Sequence, residues 1–241
     1  MVPTYAIFRG KDRYLPYNWW SPCELNVSLY FYGSIIYQLV VVMISGMNNS
    51  GIDIVCYKIS KIICCQMDLL IGRSTQLNFL GQNNVEPLLN DLIKHHYEII
   101  RLVEILNDLF SPIALVQCGT SGLAICFVGF QLMVTVESGS PEFVIQAAYF
   151  CCLFVQIYFY CWFGQDIMLK SIEISISYYL TDWYNACSSN VRNHLFLIME
   201  RTKRPLELRA GGVFPLTLST LMSILRSSYS YMAVLQRLNK K

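Results

Sequence analysis

The chain has 241 residues, of which 54% are hydrophobic and only 14% are charged, whereas about 25% of residues are charged in an ordinary soluble domain. This composition excludes a disordered, a nucleic-acid-coating and a disulfide-stapled protein. The formal net charge of +2 indicates no class of partner, and nothing in the sequence points to a nucleic-acid partner.

The charged residues are distributed unevenly along the chain. Residues 25–52, 109–136 and 143–165 contain none, and residues 210–236 contain only Arg226. Each run is longer than the ~20 residues with which a helix crosses the ~30 Å hydrocarbon core of a bilayer. The sequence therefore predicts an all-α membrane protein with four transmembrane helices, surrounded by membrane lipid.

The first 24 residues differ in composition from the rest. They are polar and aromatic, with prolines at positions 3, 16 and 22, and they lack the apolar stretch of a secretory signal. We interpret residues 1–24 as the remnant of an extracellular loop, and residues 25–241 as a transmembrane helical domain.

The first two membrane spans are predicted to continue beyond the bilayer. The first span covers residues 26–48, and apolar residues then recur at helical spacing over residues 52–72. Residues 88–106 form a second amphipathic helix, which runs directly into the second span at residues 109–136. Both spans are therefore parts of helices that are longer than the bilayer requires. The additional turns of the two helices lie on the same side of the membrane.

A third span is predicted at residues 143–172 and a fourth at residues 208–238, with a short helix at residues 192–201 between them. The short helix and the two amphipathic helices at 52–72 and 88–106 expose more apolar surface than a lone extension tolerates in water. We expect these three anchor helices to pack together and against neighbouring subunits.

The distribution of Lys and Arg in the loops predicts the orientation. The long connections between the first two spans and between the last two are rich in Lys and Arg, whereas the short turn at residues 137–142 has none. The two long connections, with the anchor helices, are therefore expected in the cytoplasm. Four spans then place both termini outside, which is wrong for a G-protein-coupled receptor because its C-terminal tail is cytoplasmic.

Several short motifs stand in the second half of the chain. They are Tyr-Cys-Trp-Phe-Gly-Gln at 160–165, Leu-Thr-Asp-Trp-Tyr at 180–184, Arg-Pro at 204–205, Ala-Gly-Gly at 210–212, Leu-Arg at 225–226 and Ser-Tyr-Ser-Tyr at 228–231. Leu-Pro at 15–16 and Trp-Ser-Pro at 20–22 stand near the start. As a set, these residues resemble the C-terminal portion of the insect odorant receptor family.

The resemblance implies a seven-helix membrane protein with a cytoplasmic N-terminus and an extracellular C-terminus. It further implies an olfactory receptor subunit in the plasma membrane of sensory neurons, which forms a heterotetrameric, odorant-gated cation channel with a common co-receptor. The cytoplasmic helices would pack into an anchor domain, and the last helix would line the pore. The chain corresponds to the second extracellular loop and the last four helices, so we expect a fragment that lacks the first three helices.

Two sets of residues are candidates for functional sites. Small hydrophobic odorants require a mostly apolar pocket, and aromatic residues of the predicted extracellular half could line it. These are Tyr30, Tyr37, Phe130, Tyr149 and Phe150. The alternative is that they are ordinary packing or lipid-facing aromatics.

The second set lies in the last span. Arg226, Ser230, Val234 and Arg237 follow one another at spacings of four, four and three and so share one helical stripe. A charged residue near bilayer depth is costly unless it faces water or a partner, so Arg226 indicates a hydrated pore stripe. By resemblance, Val234 matches the aliphatic gate of the family. The alternative is that Arg226 snorkels or pairs with an acidic residue of a neighbouring helix.

Other functions have less support in the sequence. A gustatory receptor of the same superfamily shares the architecture, and a four-span scaffold protein shares the number of spans but has its long loop outside. No cofactor is expected, and three histidines make a metal site improbable. The His95–His96 pair could be taken as catalytic, but the simpler interpretation is two solvated residues on a polar helix face. We therefore do not expect an enzyme.

Overall fold

The structure is a computed structural model that describes residues 28–76, 85–138, 142–181 and 189–239. The predicted loop remnant at residues 1–24, and residues 182–184 of the Trp-containing motif, lie outside the described residues. The chain divides into two compact units, Met1–Val55 and Cys56–Lys241.

The described part of the chain is almost entirely helical. Its elements are α1 (Ser28–Ser74), α2 (Val85–Ser138), α3 (Glu142–Tyr179), α4 (Ser189–Thr202), β1 (Arg209–Ala210), β2 (Phe214–Pro215) and α5 (Leu218–Asn239). By length and composition, α1, α2 and α3 are each able to cross a membrane. The prediction of a helical membrane protein is confirmed, and so is the continuation of the first two spans into single long helices.

The first unit contributes the first half of α1 to the described residues. Most side chains there are exposed, and many of the exposed ones are large and apolar, including Ile36, Met43 and Met47. Such a surface is expected of a helix that is surrounded by lipid or by other helices rather than by water.

Buried positions in the second unit recur every three or four residues, as the apolar seam of a coiled coil does. In α1 they are residues 56, 60, 63, 67, 70 and 74; in α2 residues 89, 92, 96, 99, 103 and 106; in α3 residues 157, 160, 164, 167, 171, 174 and 178. These seams form one continuous core with α4 and the start of α5. The described contacts of α2 include α3, α4, α5 and β1, so α2 is the central helix of this unit.

The polar halves of α1 and α3 lie side by side. Lys170 on α3 pairs with Asp68 on α1 at 2.8 Å, and Lys61 lies 3.8 Å from Asp166. One turn nearer the apolar halves, the ring of Tyr57 stacks on Phe163 with centroids 5.1 Å apart. Charged residues resume in α3 at position 166, and the part of the predicted span at residues 143–172 that lies in the bilayer stays a prediction.

The last helix begins later than the sequence predicts. Residues 208–217, predicted as the first turns of the fourth span, contain an antiparallel hairpin in which Arg209 faces Pro215 and Ala210 faces Phe214. The physical reason is the turn, because Gly211 and Gly212 have φ angles of 58° and 68°, which glycine adopts without strain. The prediction of a continuous helix over residues 208–238 was therefore wrong at its start.

The hairpin is held between α2 and α3 by its backbone. The amides of Arg209 and Gly211 donate hydrogen bonds to α2, to Oδ1 of Asn107 at 2.8 Å and to the carbonyl oxygen of Ser111 at 2.9 Å. On the other side, the carbonyl of Leu216 packs directly on Gly164 of α3. These contacts fix the point from which α5 starts.

Candidate functional site

The four predicted pore residues share one exposed face of α5. Arg226, Ser230, Val234 and Arg237 are all exposed, and Val234 is 53% exposed. They extend over about 16 Å of helix, which is roughly half of the hydrocarbon thickness. The sequence prediction that these side chains lie on a common stripe agrees with the exposure of the helix, while their part in a pore stays a prediction.

Arg226 has no acidic partner in the described part of the chain. The ion pairs in residues 28–76, 85–138, 142–181 and 189–239 involve other groups. The alternative that Arg226 pairs with a carboxylate of a neighbouring helix therefore finds no support among these residues. Its guanidinium needs water, a lipid headgroup or another subunit.

Serine hydroxyls extend the same stripe toward the start of α5. Ser219 and Ser223 are exposed on this face, and Oγ of Ser223 donates to the carbonyl oxygen of Ser219 at 3.0 Å. Ser227 donates to Ser223 in the same way, also at 3.0 Å. Because each of these hydroxyl groups donates its proton to a backbone carbonyl of the helix, the lone pairs of the hydroxyl oxygens remain available to water or a cation. Sequence reasoning missed these serines, although their four-residue spacing was visible.

The opposite face of α5 packs closely on α2 at two glycines. Oγ of Ser228 donates a hydrogen bond to the carbonyl oxygen of Gly122 at 3.0 Å. Further along, a Cβ on Gly129 would lie 3.0 Å from Sδ of Met232 and 3.6 Å from the ring of Phe150. The glycines allow the two helices to approach, and this contact sets which residues of α5 remain exposed.

A groove of about 820 Å³ lies beside this contact, between α2 and α5. Its lining is mostly apolar, with serine and threonine hydroxyls on the α5 side; it includes Leu115, Leu123, Phe127, Ser223, Ser227 and Tyr231. Val234 is one of its lining residues. A volume of this size and an apolar lining with a few hydroxyls are typical of sites for small organic ligands.

The predicted odorant-pocket residues fall in both units. Tyr30 and Tyr37 belong to the first unit and are 51% and 53% exposed. In the second unit, Tyr149 is exposed, Phe130 is half-buried, and Phe150 packs against the core near Gly129. These five residues do not line the α2–α5 groove, and their role in ligand binding stays a prediction.

A second cavity of about 420 Å³ lies between α2 and α4. It is lined by Asn90, Ile93, His96, Tyr97, Ile100, His194, Leu197, Ile198 and Arg201. His96 is only 7% exposed, so the interpretation of His96 as a solvated residue was wrong. The reason is its place in the seam of α2, four residues after Leu92 and three before Ile99. The signal was visible in the sequence as a histidine at a core position.

The environment of His96 keeps its imidazole neutral. Burial is the largest cause, and together with the charges of Arg201 and His95 it lowers the pKa of His96 from 6.5 to about 4. The ring of Tyr178 on α3 lies 6.3 Å from the His96 ring. His95 itself is half-buried and shares a 3.1 Å hydrogen bond with Oε1 of Gln66 on α1.

Comparison with known proteins identifies the family. A family model described as 7tm Odorant receptor matches residues 1–229. Odorant receptor 10 from Aedes albopictus is 34% identical over 146 residues, which are 61% of this chain and 38% of that protein. Odorant receptor 85b from Drosophila melanogaster is 26% identical over 230 residues, covering 95% of this chain and 58% of that protein.

A solved structure supports the same fold. The insect olfactory receptor OR5 from Machilis hrabei, in complex with eugenol, superposes with a TM-score of 0.77 and 21% identity, covering 91% of this chain and 56% of that chain. The chain thus spans about half the length of these relatives. Two of the residues that carry the sequence resemblance make packing contacts, since Gly164 contacts the backbone of Leu216 and Ser228 donates a hydrogen bond to Gly122. The chain is a multi-pass membrane protein, and it belongs to the 7tm odorant receptor family.

Proposed function

We propose that this chain is an olfactory receptor subunit that assembles with a co-receptor subunit into an odorant-gated cation channel. It acts in the plasma membrane of olfactory sensory neurons, with its C-terminus outside the cell. The observation that carries this proposal is the exposed stripe of α5, where Arg226, Ser223 and Ser230 lie on one face of a helix in a membrane protein.

The physical argument starts from the cost of a charge in the membrane. An arginine near the bilayer centre costs at least ~2.5 kcal/mol on insertion scales, and Arg226 has no carboxylate partner in the described residues. A water-filled pore removes this cost. The hydroxyl oxygens of Ser223 and Ser227, whose protons bond to the helix, would face the same water.

The same stripe argues for a heteromeric channel. Four copies of this chain around one pore would form two rings of four positive charges, at Arg226 and at Arg237. Such rings oppose the passage of cations. A channel in which this chain is the minority subunit carries fewer arginines at each level, so cation conduction requires the co-receptor as the main pore-forming partner.

Small hydrophobic odorants have two proposed places on this chain. The first is the set of aromatic residues Tyr30, Tyr37, Phe130, Tyr149 and Phe150. The second is the groove between α2 and α5, which is favoured by its volume of about 820 Å³ and its apolar lining. A ligand in the groove would contact Val234, one of the lining residues, and so would act directly on the proposed gate.

Two substitutions distinguish these places. Gly119 lines the groove and has open space around it, so Gly119→Phe fills the groove without displacing backbone. If odorants bind there, this variant loses the odorant response and keeps the basal current. If they bind at the aromatic set, Tyr149→Ala shifts the odorant concentration for half-maximal current, and Gly119→Phe does not.

The test of the function itself is co-expression with the co-receptor in oocytes, with currents recorded during application of a panel of volatile compounds that includes eugenol. Odorant-evoked cation current that needs both subunits is the expected result. Current from this chain alone would contradict the heteromeric channel. Absence of current at verified surface expression of both subunits would contradict the receptor function.

A further inference from the structure

The cavity between α2 and α4 contains the positive charge of Arg201 and no acidic side chain. Arg201 and His194 come from α4, and His96 comes from α2. None of the carboxylates in the described ranges forms an ion pair with Arg201, and the adjacent Glu200 pairs with Lys203 at 2.5 Å. The cavity therefore presents a guanidinium with unused hydrogen-bond donors.

His96 is the buried polar group of this cavity. It is 7% exposed and lines the cavity, and its ring nitrogens have no hydrogen-bond partner among the residues that the structure describes. These nitrogens are not among the polar atoms that are closed off without a partner, which in the described residues are Nδ1 of His95 and Oη of Tyr178. A ligand in the cavity can therefore reach the His96 ring and accept a hydrogen bond from it.

The position of the cavity excludes a membrane lipid as its ligand. His96 precedes the charge-free run at residue 109 by about 13 residues, which corresponds to roughly 20 Å of helix beyond the membrane boundary. The headgroup layer adds only about 5–8 Å on each side of the hydrocarbon core. A lipid phosphate therefore does not reach Arg201, and the ligand comes from the aqueous side.

The rim of the cavity has the character of a protein interface. Tyr97 and Leu197 line the cavity and are 67% and 64% exposed, and at this distance from the bilayer lipid does not cover them. Exposed apolar patches of this kind mark protein–protein contacts. Arginine and tyrosine, both present here as Arg201 and Tyr97, are also among the residues that contribute most binding energy at interfaces.

We infer that the α2–α4 cavity receives the carboxylate of an aspartate or glutamate from an aqueous-side helix of the co-assembled partner subunit. The inference rests on the proposed function, because it requires that subunit. Arg201 binds the carboxylate through its planar guanidinium, His96 donates one hydrogen bond, and the rim residues Tyr97 and Leu197 exclude water. Complementary charge thus selects the partner.

The first experiment measures co-purification of the tagged chain with the co-receptor in mild detergent. Arg201→Glu places a like charge opposite the incoming carboxylate, and it should reduce the co-purified partner about tenfold or more. Arg201→Gln, which introduces no repulsion, should give an intermediate loss. Arg73→Glu makes the same charge change at an exposed position of α1 outside the cavity and should leave co-purification unchanged.

The second experiment seeks the carboxylate. Each acidic residue on the aqueous-side helices of the partner is changed to arginine and tested against Arg201→Glu. Restoration of co-purification by one such change, and not by the others, supports the inference. Two results would overturn the inference. The first is that Arg201→Glu co-purifies with the partner as the wild type does. The second is a loss of co-purification that no partner substitution restores, although the variant keeps wild-type thermal stability. If the unmodified chain does not co-purify at all, the proposed heteromer itself is refuted, and the inference falls with it.

Discussion

The carbonyl oxygen of Leu216 lies against Gly164 in the space where a side chain on residue 164 would begin. This contact positions the hairpin against α3, and α5 begins directly after the hairpin. On the other side of the hairpin, a Cβ on Gly211 would lie 2.5 Å from Cδ2 of Leu115 on α2. Two close backbone contacts therefore determine where α5 starts, and hence which of its faces carries the stripe with Arg226.

Gly164→Ala tests this contact. The added methyl group overlaps the Leu216 backbone, which cannot rotate away as a side chain would, so the hairpin must shift. We expect a destabilisation of about 1–3 kcal/mol, as for other overpacked cores, seen as a lower midpoint of thermal unfolding in detergent. Gly72→Ala is the matched control, because Gly72 is helical and has nothing within 4 Å of its Cβ position.

The control should be neutral or stabilising by about 0.5–1 kcal/mol, since alanine is the better helix former. Equal midpoints of thermal unfolding for Gly164→Ala and Gly72→Ala would contradict the close contact between the hairpin and Gly164.

The stability of the chain without its partner should fall in mildly acidic solution because of His96. The pKa of His96 is about 4 in the folded chain, against 6.5 when it is exposed. The stabilising contribution of the neutral His96 side chain to the folded chain is therefore fully present above pH 6.5, and it is lost as the pH falls from 6.5 toward 4. The groups that face it are His95 on its own helix, Tyr178 on α3, and Arg201 and His194 on α4. At about pH 5 the loss is on the order of 2 kcal/mol.

The measurement is the midpoint of thermal unfolding between pH 7 and pH 5 for the wild type and His96→Leu. Leucine fits the apolar seam and does not titrate, so the variant should lose most of this pH dependence. An identical pH dependence in both proteins would show that other groups cause it.

The anchor helices offer a pair of substitutions that separates assembly from folding. Phe196 is 59% exposed on α4, whereas Ile100 on α2 is only 8% exposed. Phe196→Asp should lower co-purification of the co-receptor and leave the thermal midpoint of the chain unchanged. Ile100→Asp buries an unpaired carboxylate, which costs several kcal/mol, and should lower the midpoint itself. The reverse pattern would show that Phe196 faces the core.

The helices could be predicted from the sequence because charge-free runs and recurring apolar residues are local signals. The hairpin could not, since residues 208–217 are apolar enough for a span, and only the pair Gly211–Gly212 indicates a turn. The environment of His96 was readable in principle from its spacing to Leu92 and Ile99. The groove between α2 and α5 depends on the approach of helices at Gly122 and Gly129, which is a tertiary property and gives no local signal.

Arg226→Glu should change the ion selectivity of the mixed channel. The substitution removes one positive charge from the proposed pore stripe and adds a negative one, which favours cations and divalent cations above all. We expect a higher cation conductance or a higher calcium-to-sodium permeability ratio in voltage-clamp recordings. Arg204→Glu, an exposed arginine outside α5, is the control and should have no effect. Equal permeability ratios for all three channels would place Arg226 against protein or lipid.

Val234→Ser should raise the basal leak of the mixed channel. Val234 lies on the exposed stripe and lines the α2–α5 groove, and a ring of aliphatic side chains can close a pore because water leaves a narrow apolar constriction. A serine hydroxyl at this level holds water, so closed channels should conduct without odorant. Met222→Ser, an exposed apolar residue of α5 outside the groove lining, controls for the change in polarity. Because Met222 lies 12 residues, or about three helical turns, before Val234, a leak produced equally by both variants would reflect a general effect of polar substitution in α5, and a leak in neither would remove Val234 from the gate.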